Sequence, residues 1–339
     1  MKGVVDPRMP EPLFQLPYGV PVHVPVTFQD VETLKVLTAR FGYGLDVLQL
    51  DQGISLEGSF QVTVINGLVF FRITTNASLL WTGNRLADYT PFAIEPLGAR
   101  GQQVHGQELP SPAVLCGFYQ RLSDTYFTSA AGGETLIALV PTAEISSRLE
   151  LAGLSDRLEE MDRSNMWLLT DVDLKLFSNC IDRRAQAPKL DLDGSRTEVF
   201  YTALIQAIGN AQGSERYVHN DDREVMQMLL GWARENLSGT PVGMKEVLAA
   251  LPVGKTKLSA ATKKAIGMAP MNVMKALRLQ QVRTAILDPA RQQELGTGSN
   301  VLKIAAHYGF TTRQHFARDY QKQFGEKPSE TAGQLRLAA

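Results

Sequence analysis

Residues 304–320 read IAAHYGFTTRQHFARDY, a short apolar run that stops at Gly309-Phe310 and gives way to a segment rich in long polar donors. Arg313 and Gln314 are the side chains that form bidentate contacts with guanine and adenine edges. His315 and Arg318 extend the same donor set. Phe316, Tyr320 and Phe324 stand four apart, so in a helix they share one face. Burying that face turns Arg313, Gln314, Ala317, Arg318 and Gln321 toward solvent. The first turns of a second helix are the part of such a unit that enters a DNA major groove.

The elements that must hold these residues follow from local chemistry. Asn300 is suited to cap a first helix and Thr312 a second. Gly309 supplies the positive φ that ends the first. Phe310 fills the space between them. The unit occurs twice. Residues 266–279, IGMAPMNVMKALRL, match residues 324–337, FGEKPSETAGQLRL, at an offset of 58. The same offset pairs Lys255 with Arg313, Thr256 with Gln314, Lys257 with His315 and Leu258 with Phe316. Further upstream, VLAAL at 247–251 pairs with IAAHY at 304–308 at an offset of 57, so one copy has an extra residue in its turn. A duplicated helix-turn-helix is thus expected. The candidate DNA contacts are Lys255, Thr256 and Lys257 in the first copy, and Thr312, Arg313, Gln314, His315 and Arg318 in the second.

The charge is divided along the chain. Residues 1–213 carry 16 Lys and Arg against 24 Asp and Glu, a net −8, whereas residues 214–339 carry 18 against 11, a net +7. A basic half behind an acidic one points to a polyanion partner for the second half alone. The polar stretch GNAQGSERYVHNDD at 209–222 lies at the charge break. The expected organisation is a sensor and dimerisation domain at 1–213, a linker at 214–221 and a DNA-binding domain at 222–339.

Residues 222–337, through IAAHYGFTTRQHFARDYQKQFGEKP, resemble the AraC/XylS family of bacterial transcription regulators. The resemblance implies two helix-turn-helix units joined by one long helix at 270–287, double-stranded DNA as partner, and contact with RNA polymerase. The first unit departs from the family pattern at Gly254, Ala260 and Thr262. Lys255, Lys257, Lys263 and Lys264 give it charge, so the second unit is expected to read bases and the first to add electrostatic affinity. The N-terminal half resembles, more patchily, the ethanolamine-utilisation regulator subgroup, through the Gly132–Glu134 GGE start and the closing EKPS. That implies a cupin-like barrel that senses a small molecule, and transcription activation.

The expected fold class is α+β: a cupin-like β-barrel with trailing helices, then an all-α domain. Residues 45–140 have strand texture, with an Asn66-Gly67 hairpin signal in FQVTVINGLVFFRITT. A helix is expected at 195–211, buried along Val199, Ala203, Ile205 and Ile208, and is the candidate dimer contact of a homodimer. Candidate effector contacts are Arg72, Trp81, Arg85, Arg121, Asp124 and Tyr126, because an arginine in an apolar strand must pair or face a wet cavity. RLSD at 121–124 has the arginine-x-x-aspartate spacing of cyclic di-GMP inhibitory sites. The expected partner of the N-terminal domain is a small-molecule effector, for which cyclic di-GMP and a metabolite of the ethanolamine or cobalamin type are candidates; the alternative is an effector-independent regulator whose N-terminal domain only dimerises.

Other classes lack their residues. The five histidines show no metal-ligand spacing, and Cys116 and Cys180 stand alone, so neither a metal nor a cofactor is expected. No catalytic motif is present, and the chain is not expected to be an enzyme. No apolar run approaches a membrane span, and a bacterial cytoplasmic, nucleoid-associated location is expected.

Overall fold

The computed structural model describes residues 17–40, 43–95, 103–104, 107–109, 113–119, 121, 124–186, 188–212, 221–239 and 242–338. It separates into two units. The described residues within Met1–Gln29, Thr33–Val47 and Glu57–His219 form the first, and those within Asp30–Glu32, Leu48–Leu56 and Asn220–Ala339 form the second. The two short N-terminal segments in the second unit have no counterpart in a reading of 1–213 as one continuous domain. The linker at 214–221 lies almost wholly outside the described residues.

The first unit is built on strands β1 (Val22–Phe28), β2 (Leu45–Gln49), β3 (Gly58–Ile65), β4 (Leu68–Thr75), β5 (Leu79–Asn84), β6 (Tyr89–Ile94), β7 (Gln103–Val104), β8 (Gln107–Glu108), β9 (Val114–Cys116), β10 (Asp124–Ser129), β11 (Glu134–Pro141) and β12 (Met166–Leu168), with α1 (Val31–Arg40) between the first two. Seven strands form one sheet in the order β1-β3-β4-β11-β6-β9-β12, and five form a second in the order β2-β5-β10-β7-β8. Both sheets have free ends among the described residues. The expected barrel is therefore a sandwich of two open sheets rather than a closed cylinder.

Period-two alternation explains the layers. Phe70 faces the helices, where its ring meets Phe200 edge-on at 5.0 Å, while its neighbour Phe71 faces the other sheet. The helices are α2 (Thr142–Leu151), α3 (Ser155–Met161), α4 (Asp171–Gln186) and α5 (Ser195–Asn210). Their core includes Phe92, Phe118, Trp167, Phe177 and Phe200. Helix α5 does not use the expected stripe. Ala203 and Ile208 are buried, but Val199 is 58% exposed, and Phe200, Leu204 and Ala207 form the inward face instead. Apolar residues lie on both sides of this helix, and the bulkier row is the one the sheet accepts.

The hairpin tip behaves as the dipeptide requires. Asn66 has φ 48° and Gly67 φ 77°, the left-handed pair of a tight β3–β4 turn. Asn66 also stitches the tip to the start of α5. Its Nδ2 donates to Asp191 Oδ2 at 3.2 Å and to Thr197 Oγ1 at 3.0 Å, and its Oδ1 accepts from Gly19 N at 2.6 Å.

The second unit is all helix: α6 (Asp221–Glu235), α7 (Met244–Ala250), α8 (Lys255–Ile266), α9 (Pro270–Leu287), α10 (Pro289–Glu294), α11 (Val301–His307), α12 (Arg313–Phe324) and α13 (Pro328–Ala338). Helices α8 and α12 are each 12 residues long and start 58 apart, and α7 and α11 start 57 apart. The extra turn residue thus belongs to the second copy. The loop RQQELGTGSN carries α10, capped by Asp288 through Ala290 N and Arg291 N. Its Gln292 side chain is buried and donates to Ile286 O at 2.9 Å.

Replacing Asn66 by Ala puts a residue with less tolerance of the left-handed region into the turn, takes the acceptor from Gly19 N, and removes one of several donors to Asp191. The expected loss is about 2–3 kcal/mol in urea unfolding, with Asn66→Gly losing less because it keeps the turn.

Candidate nucleic-acid interface and intersheet cavity

Helix α12 is phased by its aromatic residues. Phe316, Tyr320 and Phe324 are buried in one cluster with Leu279, Val282 and Ile286 of α9 and Ile304, Ala305 and Tyr308 of α11. Their rings touch in sequence, Phe316–Tyr320 at 5.6 Å and Tyr320–Phe324 at 4.7 Å. Phe310 leans on Phe316 at 5.4 Å, the contact that sets the angle between α11 and α12. Arg313, Gln314, His315, Arg318 and Gln321 are consequently exposed. Thr312, also exposed, takes the N-cap position by backbone geometry, but its side chain makes no capping bond; this differs from the expectation. Asn300 does cap α11, accepting from Leu302 N and Lys303 N at 3.1 Å each. Gly309 has φ 84°.

The first unit is more muted. Lys255, Thr256 and Lys257 are exposed at the start of α8. Lys257 pairs with Asp221 at 3.2 Å and Lys264 with Asp222 at 3.0 Å, so the first turn of α6 partly neutralises the face of α8. Lys255 and Lys263 have no ion pair among the described residues. Gly254 gives α8 no side-chain cap, and Thr262 is buried with its hydroxyl donating to Leu258 O. Nor does all of the positive charge of this half face solvent. Arg223, Arg278 and Arg283 are 4%, 6% and 4% exposed. Arg283 pairs with Glu326 and lies over the Phe324 ring, a structural role.

Both second helices end on a left-handed glycine, Gly267 with φ 71° and Gly325 with φ 72°. A Cβ on Gly325 would lie 2.6 Å from Gly53 O, whereas one on Gly267 meets nothing within 4 Å. Gly53 N also donates to Gln323 O at 3.2 Å, so the 48–56 segment closes on the end of α12 within this unit.

The two sheets of the first unit enclose a cavity of ≈ 50 Å³, walled by Tyr43, Phe60, Phe71, Trp81, Phe127 and several aliphatic residues, with Arg85 and Glu95 as its charged groups. Of the expected effector contacts, Trp81 and Arg85 face this cavity. Arg85 donates to Tyr119 O and, at 3.1 Å, to Gly117 O. Burial lowers its pKa, with Tyr43 and Asp124 opposing the shift. Trp81 Nε1 donates to Ser129 Oγ at 3.0 Å. The remaining four do not line the cavity. Arg72 pairs with Glu134 at 2.6 Å and Asp182 at 3.1 Å, which is how that strand tolerates an arginine. Arg121 is exposed and pairs with Asp162 at 3.4 Å, so the arginine and aspartate of RLSD do not make a shared cavity site. Asp124 lies near Arg85 without reaching the wall. Tyr126 is buried on the opposite side of β10 from the wall residues Thr125 and Phe127. Tyr43 and Glu95 escaped the sequence reading. For Glu95 the signal was alternation, since Pro91, Ala93 and Glu95 fall on one face; Tyr43 carried no such signal. Among the described residues no group of side chains could hold a metal, and no helix is long and apolar enough to cross a membrane.

The equal geometry of the two glycines makes a controlled comparison. Gly267→Ala is expected to cost about 1 kcal/mol of left-handed strain. Gly325→Ala is expected to cost at least that much again, because its Cβ meets backbone. Unfolding midpoints of the two variants check this.

Comparison with known proteins addresses the helical unit. Residues 247–334 match the family described as helix-turn-helix domain. The regulatory protein HrpB of Ralstonia nicotianae is 35% identical over 97 residues, 29% of this chain. The match spans only 19% of that relative's length. A probable AraC family transcriptional regulator from Rhodopseudomonas palustris is 28% identical and aligns with 33% of this chain and 97% of its own, at a TM-score of 0.29. The AraC-like transcriptional activator CuxR aligns with 77% of this chain and 96% of its own, at 12% identity and a TM-score of 0.39. The repeated α7–α8 and α11–α12 units and the match over 247–334 together make this part of the chain a helix-turn-helix domain.

Proposed function

We propose that the protein is a transcriptional regulator of the AraC/XylS type that binds double-stranded DNA with both helix-turn-helix units and responds to a small molecule held between its two sheets. One observation carries the reading. The exposed first turns of α12 present Arg313, Gln314 and His315 together, while the aromatic row behind them is buried. A solvated helix has no need of that donor set; a major groove does. Helix α9 has 18 residues, roughly 27 Å at the α-helical rise, and separates two recognition helices that must serve successive grooves about 34 Å apart.

In this reading α12 reads bases and α8 contributes charge. Activation and contact with RNA polymerase enter from the family resemblance. Dimerisation uses the outward faces of α4 and α5, where Val172 is 70% and Val199 58% exposed. The effector acts by favouring one arrangement of the protein over another, so it must bind the two unequally. Leu45 of β2 lines the cavity, and the chain then runs directly into the 48–56 segment that closes on α12; this is the covalent route for the signal. A cavity of ≈ 50 Å³ suits a compact metabolite and not a cyclic dinucleotide.

A DNA site selected from a random library gives the test. Arg313→Ala is expected to lose about 1–3 kcal/mol of discrimination between the selected site and a variant base pair. Lys255→Ala is expected to weaken all sequences alike and to lower the slope of log K against log salt by about 0.9. Equal losses of discrimination would overturn the division between the units, and no salt-dependent DNA binding would overturn the function. For the dimer, Val199→Glu is expected to shift the sedimentation of the full chain from dimer to monomer, and an unshifted profile would remove α5 from that interface.

A further inference from the structure

We propose that the groove between α4 and α5 is a docking site for an acidic amphipathic helix of a partner protein. The inference goes beyond the effector and DNA readings and stands independently of both.

The argument begins with ion pairs. Residues 1–213 carry a net −8, and cations there ordinarily find carboxylates. Lys35, Arg72, Arg121, Arg148, Arg157 and Arg163 each pair with one. The cations of this groove do not. Arg183, Lys189 and Arg196 are exposed on its wall, and none has an ion pair among the described residues. Arg184 stands with them and donates to the carbonyl oxygens of Cys180, at 2.7 Å, and of Arg196. Burial lowers its pKa, and the nearby charge of Arg196 lowers it further, against Cys180 and Asp191. Asp191 is the one carboxylate among the described lining residues. It is buried and already accepts from Arg196 N, Thr197 and Asn66. Four cations thus surround one fully engaged carboxylate in an otherwise acidic unit, a surface that favours an anionic partner.

The rest of the wall is apolar. The groove has a volume of ≈ 660 Å³ and is also lined by Ile65, Leu176, Pro188 and Val199. Leu176 and Val199 are exposed, as are Leu190 and Leu192 in the stretch after Lys189. Leu176, Cys180 and Arg183 follow one another by four and three residues along α4, and Arg196 and Val199 by three along α5. Apolar and cationic groups therefore share one ridge on each helix.

That combination decides the occupant. Free phosphate would engage the cations and leave the apolar groups in water. A nucleobase would find no aromatic ring on the described wall to stack against. Duplex DNA, an extended polyanion, would meet the negative charge of the surrounding unit. A second copy is a poor occupant, because an isologous contact sets the same cations against each other. An extended peptide needs a strand edge, whereas this wall is chiefly the side chains of two helices. A helix with a leucine row flanked by carboxylates meets every requirement. The row covers Leu176 and Val199, and the carboxylates pair with Arg183, Lys189 and Arg196. Val199 also belongs to the dimer contact proposed above, so the partner and a second copy compete for it.

The experiment uses the full chain and fluorescein-labelled peptides of about 18 residues, five helical turns. One presents a leucine row flanked by glutamates. A second has glutamine in place of every glutamate, and a third is shuffled at equal charge so that the leucine row is lost. Fluorescence anisotropy is expected to give the first peptide a Kd of about 10 µM and each control about tenfold weaker binding. The double variant Arg183→Gln, Arg196→Gln is expected to weaken the first peptide about tenfold while its unfolding midpoint and DNA affinity stay unchanged. Lys189→Gln, outside both helices, is expected to weaken it several-fold and keeps the test decisive if the double variant loses stability. Equal binding of the shuffled peptide would reduce the groove to unspecific charge and overturn the proposal. Binding of the first peptide unchanged in these variants would place it elsewhere and overturn it too. Displacement of the peptide by pyrophosphate, but not by sodium chloride at equal ionic strength, would make the groove a phosphate site instead. A matching loss of DNA affinity in the double variant would assign it to nucleic acid. No binding of any peptide would remove the docking site outright.

Discussion

The helical unit depends on burying three rings at four-residue spacing. Phe316, Tyr320 and Phe324 each contribute about 1.5–3 kcal/mol of apolar burial, and together they outweigh any rotation that would hide Arg313 or Gln314 instead. The rotation of α12 about its own axis is thereby fixed. Once it is fixed, every polar residue of the helix has an assigned direction. The Tyr320 hydroxyl adds specificity, meeting Thr331 Oγ1 at 2.9 Å, while Thr331 donates to Glu326, the partner of Arg283. The exposed donor face of this helix is the by-product of a core on its other side.

The same logic explains what could be read from the chain. The duplication was legible because a helix-turn-helix has few solutions: a glycine at the end of each second helix, a proline at the start of the next, and an apolar row between. Helix α9 begins at Pro270 and ends at Leu287, the bounds its sequence suggests. The hairpin at Asn66-Gly67 was legible because that dipeptide has a strong preference for one turn. In each case a residue with a narrow conformational range carries the information.

Tertiary choices were not legible. Helix α5 offers apolar residues on two faces, and only the shape of the sheet beneath selects Phe200 and Leu204 over Val199. Arg72 reads as a cavity residue until Asp182 is brought across from α4 to meet it. Net charge has the same blindness, since it counts Arg278 and Arg283 as part of a basic surface although both are buried. The cavity was half seen. Trp81 and Arg85 stand out within one short stretch of sequence, whereas Tyr43, Glu95 and Phe127 come from separate stretches and converge only when two sheets pack. An open sandwich and a closed barrel also share the same strand alternation, so local pattern cannot distinguish them.

The two helix-turn-helix copies share a backbone plan but no longer share a chemistry. In the second, a glycine, a phenylalanine plug and an extra turn residue hold α12 against α11 and leave Arg313, Gln314 and His315 exposed. In the first, the Gly-Phe pair is absent, Gly254 offers no cap, and two of the four lysines of α8 are drawn to Asp221 and Asp222. Those pairs are exposed and hence weak, on the order of 0–1 kcal/mol each. Under the proposed function, phosphates would therefore displace the aspartates at little cost. What the pairs do alter is the net gain: each lysine must give up an aspartate before it neutralises a phosphate. Under the same proposal, the first copy would thus favour weak, sequence-tolerant binding that positions the second, and the asymmetry between the copies would separate affinity from specificity within a single domain.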